Sequence, residues 1–475
     1  PRSPASMHLQ SLLWFGALLA VVGAIYRRFL TPRAAHFALL LFALDDAHAP
    51  AAGWIANRNA LMALGLSLWA LLLHDRFRRE GSRLAGWLGP LALAAGLGAG
   101  EAALITCAYL LAYAVFLDRG SARQRYGSLL RYAAVVCIWR VISQGLGYGV
   151  AGSGLYIDPI SSPLAFTRLA LERLPVLLLA QLAVPWADFW ELFPLVAPVL
   201  SGLVFALAIV VIAAFVRALW PLWREQPQLR FWALGTVLAL LPVCATFAHD
   251  RLLLGAGIGA MPLVAALLVF AARARKWPLL VTLGAIHLAL APLLLALRAA
   301  HVGDLSRALS AADESIPSGP DVAQKSVVLL NPPLDPFAAY LPFYRQAAGR
   351  TPPQRLLWLS TGVTELLVSG VDARTIRVRA RDGFLSSASQ CMLRDPRRPP
   401  RLGETIELGA ARLLVVASMP DGRPKEIEVR FRTPLASEQL LWMQWRGHGY
   451  APFRPPTAGE SVVVPKLDIA SALFG

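Results

Sequence analysis

The sequence predicts an all-α polytopic membrane domain followed by a mainly β domain, and three observations predict it. Hydrophobic residues make up 56% of the 475 and charged residues 16%, where an ordinary soluble domain carries about 25% charged residues. Apolar runs long enough to approach a bilayer span recur ten times before residue 300, and then stop. The joints between those runs alternate in charge. RRFLTPR, HDRFRREGSR, DRGSARQR with Arg131, the 217–230 joint and RARK together hold 17 Lys/Arg, whereas the joints at 45–58, 100–101, 144–194 and 249–251 hold four. Short cytoplasmic loops are the ones enriched in Lys and Arg, so the first set is placed inside and the second outside. The net charge of +16 is thereby explained by topology, and nucleic acid is not an expected partner.

In order, the apolar runs fall at about 9–26, 34–50, 54–74, 84–99, 102–117, 128–146, 195–219, 231–248, 255–272 and 278–298, giving about ten spans within a domain at 1–301. Several are nearer 16 residues than 20, short for a span unless flanking helix extends them. The run LPVLLLAQLAV at 174–184 would invert every later loop if it crossed, so it is read as lying flat or re-entrant at the outer face. Trp186, Trp190 and Phe193 follow it, the amphipathic aromatics expected at headgroup depth. Residues 302–325 are polar with Pro and Gly and read as a linker. From 326 to 475 short runs alternate with period two: SVVLL, RLLWLS, TIRVRAR, ETIEL, ARLLVVAS, EIEVRFR, QLLWMQW and ESVVV. They predict strands of an extracytoplasmic domain, with one helix near 336–348. The basic strand TIRVRAR, with Arg374 just before it, alternates Arg outward at Arg377, Arg379 and Arg381, either solvated or set against anionic headgroups. Cys107, Cys137, Cys244 and Cys391 are scattered and form no metal-ligand or disulfide pattern.

Ionisable groups at the edge of a hydrocarbon slab are expensive and tend to mark a site. Four groups of them lie in the outer joints: Asp45 and Asp46 with His48 and Arg58; Glu101; Asp158 with Arg173; and Asp250 with Arg251. A lipid-linked substrate presents its reactive head at such a boundary while its tail stays in lipid. A carboxylate there can take the proton of an attacking hydroxyl, and an arginine can hold the departing phosphate as a fork. Asp45, Asp46 and Glu101 are the catalytic candidates; His48, Arg58, Asp158, Arg173, Asp250 and Arg251 are the substrate-binding ones. Each has a structural alternative, including helix capping for Asp45 and Asp46, snorkelling for Arg58, and turn formation for Glu101 and Asp158. No metal-ligand spacing is present, and no nucleotide cofactor is called for. A divalent metal at the carboxylates stays open.

LFALDDAHAPAAGWIANRNALMAL resembles the LFALHPxHxEAVAWIAGRxDLLAAL signature of GT-C superfamily membrane glycosyltransferases, in particular the transmembrane and tetratricopeptide-repeat O-mannosyltransferases and their bacterial relatives. His48, Trp54, Ile55 and Arg58 fall on it. LGAGEAALITCAYLLAYAVFLDR is similar to a second family stretch, placing Glu101 on its Glu. YIDPISSP with Arg173 is similar to an outer loop, and HDRLLLGAGIG places Asp250 and Arg251 on a Glu-Arg pair. The resemblance covers residues 1 to about 300. It implies a GT-C-like fold in a bacterial inner membrane and transfer of a sugar, such as mannose, from a polyprenyl-phosphate donor to an acceptor at the outer face. Pro50 and Ala60 stand where the family has acidic residues, and Asp45-Asp46 replaces His-Pro. The family's principal catalytic carboxylate precedes its first corresponding helix, so the resemblance also implies an N-terminally truncated chain. The alternative function is a non-catalytic membrane scaffold or envelope assembly protein of the same fold.

Overall fold

A computed structural model of the chain describes residues 3–149, 153–184, 186–190, 198–392 and 394–474, and is 60% helical. Phe193 lies outside the described residues. The chain divides into two compact units, one of residues 1–149 and 156–302, the other of 150–155 and 303–475.

Five helices of the first unit are long and apolar enough to cross a membrane: Pro4–Phe29, Ile55–Glu80, Val199–Glu225, Leu254–Arg273 and Trp277–Ala300. Pro32–Ala43, Glu101–Phe116 and Pro227–Val243 are apolar but shorter. Proline at the first or second helical position opens the helices at Pro4, Pro32, Pro163 and Pro227, where its missing N–H costs nothing. Arg27 and Arg28, Arg78 and Arg79, and Arg273 sit in last turns, where cations complement the helix dipole. The segment read as a short flat run at 174–184 is the second half of a 20-residue helix, Pro163–Leu182, that begins directly after Ser162. The helical period of Ala170, Val176, Leu177 and Gln181, all buried, carries it across Pro175.

The Leu254–Arg273 helix forms the centre of this unit. Fifteen of its 20 residues are buried, which a one-faced amphipathic helix could not achieve. Its early turns read LGAGIGAMP, and the glycines let neighbours approach closely. Ile105 packs on Gly255, while Trp232, Thr236 and Tyr109 close over Gly259. The Tyr109 hydroxyl donates to the Gly255 carbonyl at 2.8 Å and the Tyr26 hydroxyl to that of Ile258 at 2.8 Å. Phe29, Tyr109, Phe231 and Trp232 pack edge-on or tilted around the same helix. At another end of the bundle, buried Asp75 accepts from Arg28 at 2.5 Å and Tyr113 at 2.9 Å and pairs with Arg79 at 2.7 Å.

The second unit is built on two sheets. One has the order β2-β1-β8-β9, from Arg355–Trp358, Ser326–Leu329, Leu440–Arg446 and Gly449–Pro452; β1 runs parallel to both neighbours. The other is antiparallel, β10-β3-β4-β7-β6-β5, with β3 at Leu366–Gly370, β4 at Thr375–Ala380, β5 at Thr405–Glu407, β6 at Ala411–Ser418, β7 at Pro424–Phe431 and β10 at Ser461–Val464. The parallel connection from β1 to β2 holds two short helices, Pro336–Ala339 and Leu341–Ala347, where one is expected from the sequence. Ile376, Val378 and Ala380 of β4 point into the core. Arg377 and Arg379 point out and are met by Glu428 and Glu426 of β7, so at those two positions the charge is already answered within the sheet. The stretch expected to be a linker is helical to Glu314, and Ala308, Leu309, Ala312 and Ile316 pack into this unit at helical spacing. Arg345, fully buried, pins that helix by bonding the Asp313 carboxylate at 2.9 Å and the Pro317 carbonyl at 2.9 Å.

The close approach at Gly259 has a measurable consequence. A methyl there would meet the Trp232 carbonyl at 2.7 Å, whereas one at Gly98 meets nothing within 4 Å. Gly259→Ala is expected to destabilise by about 1–3 kcal/mol. Gly98→Ala should be neutral or gain up to about 1 kcal/mol from helix propensity. Thermal unfolding of the purified protein in one detergent checks the order of the two.

Candidate functional site

Four aspartates from three separate stretches of the first unit surround one arginine. Asp45 and Asp46 follow the Pro32–Ala43 helix, and Asp45 caps the 3₁₀ turn Asp46–His48 by accepting from Ala47 N at 3.1 Å. Asp188 sits in the turn Ala187–Phe189, and Asp250 opens the turn Asp250–Leu252 just before the glycine-rich helix. Arg298, near the end of the last long apolar helix, reaches all but Asp45. Its Nη1 donates to Asp250 at 2.6 Å and to Asp46 at 3.1 Å, and its Nη2 to Asp188 at 2.9 Å. The face of its guanidinium lies 4.5 Å from the Trp186 ring, itself stacked on Phe189.

Hydrogen bonds between the turns hold this arrangement. Ala187 N donates to Asp250 Oδ1 at 2.7 Å, and Asp250 N returns a bond to Asp188 Oδ1 at 3.0 Å. His249 Nδ1 lies 2.7 Å from the same Asp188 oxygen and 3.2 Å from Arg251 N. One nitrogen cannot both donate and accept, and the shorter contact to a carboxylate places the proton on Nδ1. Below the turns an apolar wall of Ala47, Val176, Leu177, Ala187, Trp190, Leu240, Val243, Leu253 and Ala256 excludes water from one side.

The carboxylates are not equivalent. Asp45 is 7% exposed and takes no bond from Arg298; its second oxygen accepts from Gln181 Nε2 at 2.7 Å. Burial, then the neighbouring charge of Asp46, pushes it up to about 7. Burial and the Asp188 charge likewise raise Asp250. Burial works to raise Asp188 too, but the bond and charge of His249 and the charge of Arg298 outweigh it and hold Asp188 below the usual range. Burial lowers His48 to about 3, so its ring is neutral at physiological pH.

Of the residues expected in the site, Asp46 and Asp250 meet directly on Arg298, and Asp45 is beside them. Arg251 lies over the rings of Trp54 at 5.1 Å and Phe247 at 5.8 Å, and its buried Nε has no hydrogen-bond partner. His48 is fully buried between Phe15 and Phe42. The others go elsewhere. Glu101 is exposed, at the start of the turn Glu101–Leu104. Arg58 is bound to the first helix through Met7 O at 2.5 Å, Gln10 at 2.8 Å and Ser11 at 3.0 Å. Asp158 pairs with Arg140 and accepts from Ile160 N at 2.9 Å. Arg173 donates to the Cys244 carbonyl at 3.1 Å. Sequence reasoning misses Arg298, Asp188, His249 and Gln181. Among the described residues no three His, Cys, Asp or Glu side chains gather to hold a metal ion; a guanidinium takes the centre of the acidic cluster instead.

Removing Arg298 would leave three carboxylates facing one another. Arg298→Met is expected to cost about 3–5 kcal/mol, the usual penalty for stripping one partner from a buried ion cluster, read as a fall in unfolding midpoint. Asp45 also predicts a pH signature. The folded protein holds its proton up to about pH 7, while the unfolded chain releases it near 3.8. Between those values the folded state binds more protons, so stability declines as pH rises and the deficit is complete above 7. Asp45→Asn lacks that slope, so its unfolding midpoint should gain on the wild type between pH 5 and pH 8. In that window the wild type's folding equilibrium is expected to lose at most about tenfold for each rise of one in pH.

No family model matches the chain, and comparison with curated proteins finds no similar one.

Proposed function

We propose that the chain is an integral membrane glycosyltransferase of GT-C type, transferring a sugar from a polyprenyl-phosphate donor to an acceptor at the outer face of a bacterial inner membrane. The observation that carries this reading is the convergence of Asp46, Asp188 and Asp250 on Arg298, with Asp45 beside them but unbonded to it and the Arg251 guanidinium outside that ion cluster. In this reading the three shorter apolar helices, together with Arg83–Ala99 and Leu130–Gly145, join the five long ones to make about ten crossings. The cluster then lies on the face away from the arginine-rich joints, and the β unit is extracytoplasmic by the same charge rule. Asp45, raised to about 7, is poised near the pH at which a general base both stays ionised and still pulls a proton from an attacking hydroxyl. Arg251 supplies a planar donor fork for the departing phosphate, since Arg298 is already engaged by three carboxylates. Developing charge on the leaving oxygens is where such a fork contributes most. Asp46, Asp188 and Asp250 act through Arg298, holding the turns in place.

A non-catalytic scaffold of the same fold is the second reading. It is favoured by the engagement of Arg298 with three carboxylates and by the exposure of Glu101, which together describe a lock as well as they describe a site.

The test is transfer of labelled sugar from polyprenyl-phosphate donors by the purified protein in lipid. The enzyme reading expects Asp45→Asn and Arg251→Ala each to lower transfer by about a hundredfold or more, the scale of a lost base or oxyanion partner, while both variants stay folded. Full activity in both would remove the assignment. Absence of transfer by the wild type across mannose, glucose and aminosugar donors would leave the scaffold reading.

A further inference from the structure

The environment of His48 contains more polar chemistry than the ion cluster uses. His48 is fully buried, and neither ring nitrogen has a hydrogen-bond partner. The Phe42 backbone is near enough to offset slightly the loss of basicity that burial imposes on the ring, but it meets neither nitrogen in hydrogen-bond geometry. Gln181, 2% exposed, spends its amide N–H on Asp45 and leaves its carbonyl oxygen Oε1 buried and unbonded. Both orphans face the same spot. A Cβ atom built on Gly257 would lie 3.4 Å from His48 Nε2, 3.4 Å from the Phe42 ring and 3.5 Å from Gln181 Oε1. All three are ordinary contact distances, so a methyl on Gly257 would displace nothing, and the two polar atoms border one position closely enough for a single small molecule set off from the Cα to reach both.

An unpaired buried amide oxygen and an unpaired buried imidazole each carry a desolvation cost, and native folds rarely leave two of them facing one space. One small molecule removes both costs, provided it can donate to the amide oxygen and also bond the imidazole nitrogen. We infer that His48, Gln181 and the open Cα of Gly257 form a binding site for a single buried water molecule, which completes a chain from His48 through Gln181 to Asp45. Gly257, His48 and Gln181 are all buried, and the Phe42 ring borders the same position. The water donates one O–H to Gln181 Oε1 and bonds His48 Nε2 through its second O–H or its lone pair, according to the imidazole tautomer. Its effect is positional. With Oε1 bonded, the Gln181 amide cannot flip, and its N–H group stays aimed at Asp45. Glycine at 257 is then required for a guest and not for a neighbouring side chain.

This inference does not depend on the chain being an enzyme, and its test uses stability and spectroscopy alone. Wild type, Gly257→Ala and Gly257→Ser are unfolded thermally in one lipid nanodisc preparation. If the space is a dry gap, alanine fills it, adds helix propensity and raises the midpoint above both other proteins. If it holds water, alanine displaces the guest and strands both polar atoms, so its midpoint falls by several degrees. Serine, whose hydroxyl reaches one of the two, then recovers part of that loss. Imidazole ¹⁵N spectra of His48 in the wild type give a second readout that survives misfolding of either variant. A hydrogen-bonded Nε2 is expected, and a free one would overturn the site. An alanine midpoint at or above wild type, with serine below it, would overturn it equally.

Discussion

The first unit depends on one guanidinium. Arg298 is separated by 252 residues from Asp46, by 110 from Asp188 and by 48 from Asp250, yet it bonds all three. Taking these charges out of water is costly, and a guanidinium in place of a compact ammonium makes the arrangement workable. Its planar fork offers N–H groups in several directions and its face to Trp186, so three carboxylates and a ring share it without crowding one another. Three negative charges on one positive still leave the cluster two positive charges short. The deficit is met by the backbone N–H groups of Ala187 and Asp250, by His249 beside Asp188, and by a shift of proton affinity at Asp250. Such a cluster adds little net stability over a well-packed apolar core, but it admits only one register of the three turns.

That register is what separates Asp45 from Asp46. Adjacent residues at the entrance to a 3₁₀ turn point in well-separated directions. One carboxylate therefore joins the ion cluster, and the other is turned to an amide and a backbone N–H. The first has a cation within bonding distance. The second is desolvated with no cation in contact, and its proton affinity rises to about 7 for that reason. Neighbouring carboxyl groups whose surroundings differ in this way are the arrangement from which acid–base roles are usually assigned.

Much of this is legible in the residues, and the losses have physical causes. Composition and run length lead to the apolar helices, and period-two alternation to eight of the ten described strands; Leu366–Gly370 and Gly449–Pro452 escape it as short segments ending in or beginning with glycine. Asp45, Asp46 and Asp250 stand out because acidic residues beside apolar runs are costly. Arg298 does not, because it stands at the end of a run, where snorkelling explains any arginine. Its one signal is its place on the outer side by charge topology, where arginines are scarce. Asp188 is hidden among tryptophans that themselves read as interfacial. Glu101 and Asp158 satisfy the same rule as the true cluster members, since a rule about boundary depth says nothing of direction around the bundle axis. Only packing supplies that angle.

The packing that supplies it runs through the Leu254–Arg273 helix. Glycines at 255, 257 and 259 are spaced two residues apart, about 200° around a helix. Gly255 and Gly259 therefore share one face, and Gly257 takes the opposite one. The contacts follow that division: Ile105 and Tyr109 with Trp232 close on the shared face, and His48 with Gln181 stands at the other. The helix is thus clamped by close apolar contact on one side and borders a polar pocket on the other. Because Tyr109 and Tyr26 also bond its Gly255 and Ile258 carbonyls, it has little freedom to rotate. Asp250 lies four residues ahead of the helix start, so a rotation that moved Gly257 away from His48 would also carry Asp250 off Arg298. The glycine spacing, which looks like simple permissiveness in the sequence, ties the apolar core to the placement of the charges.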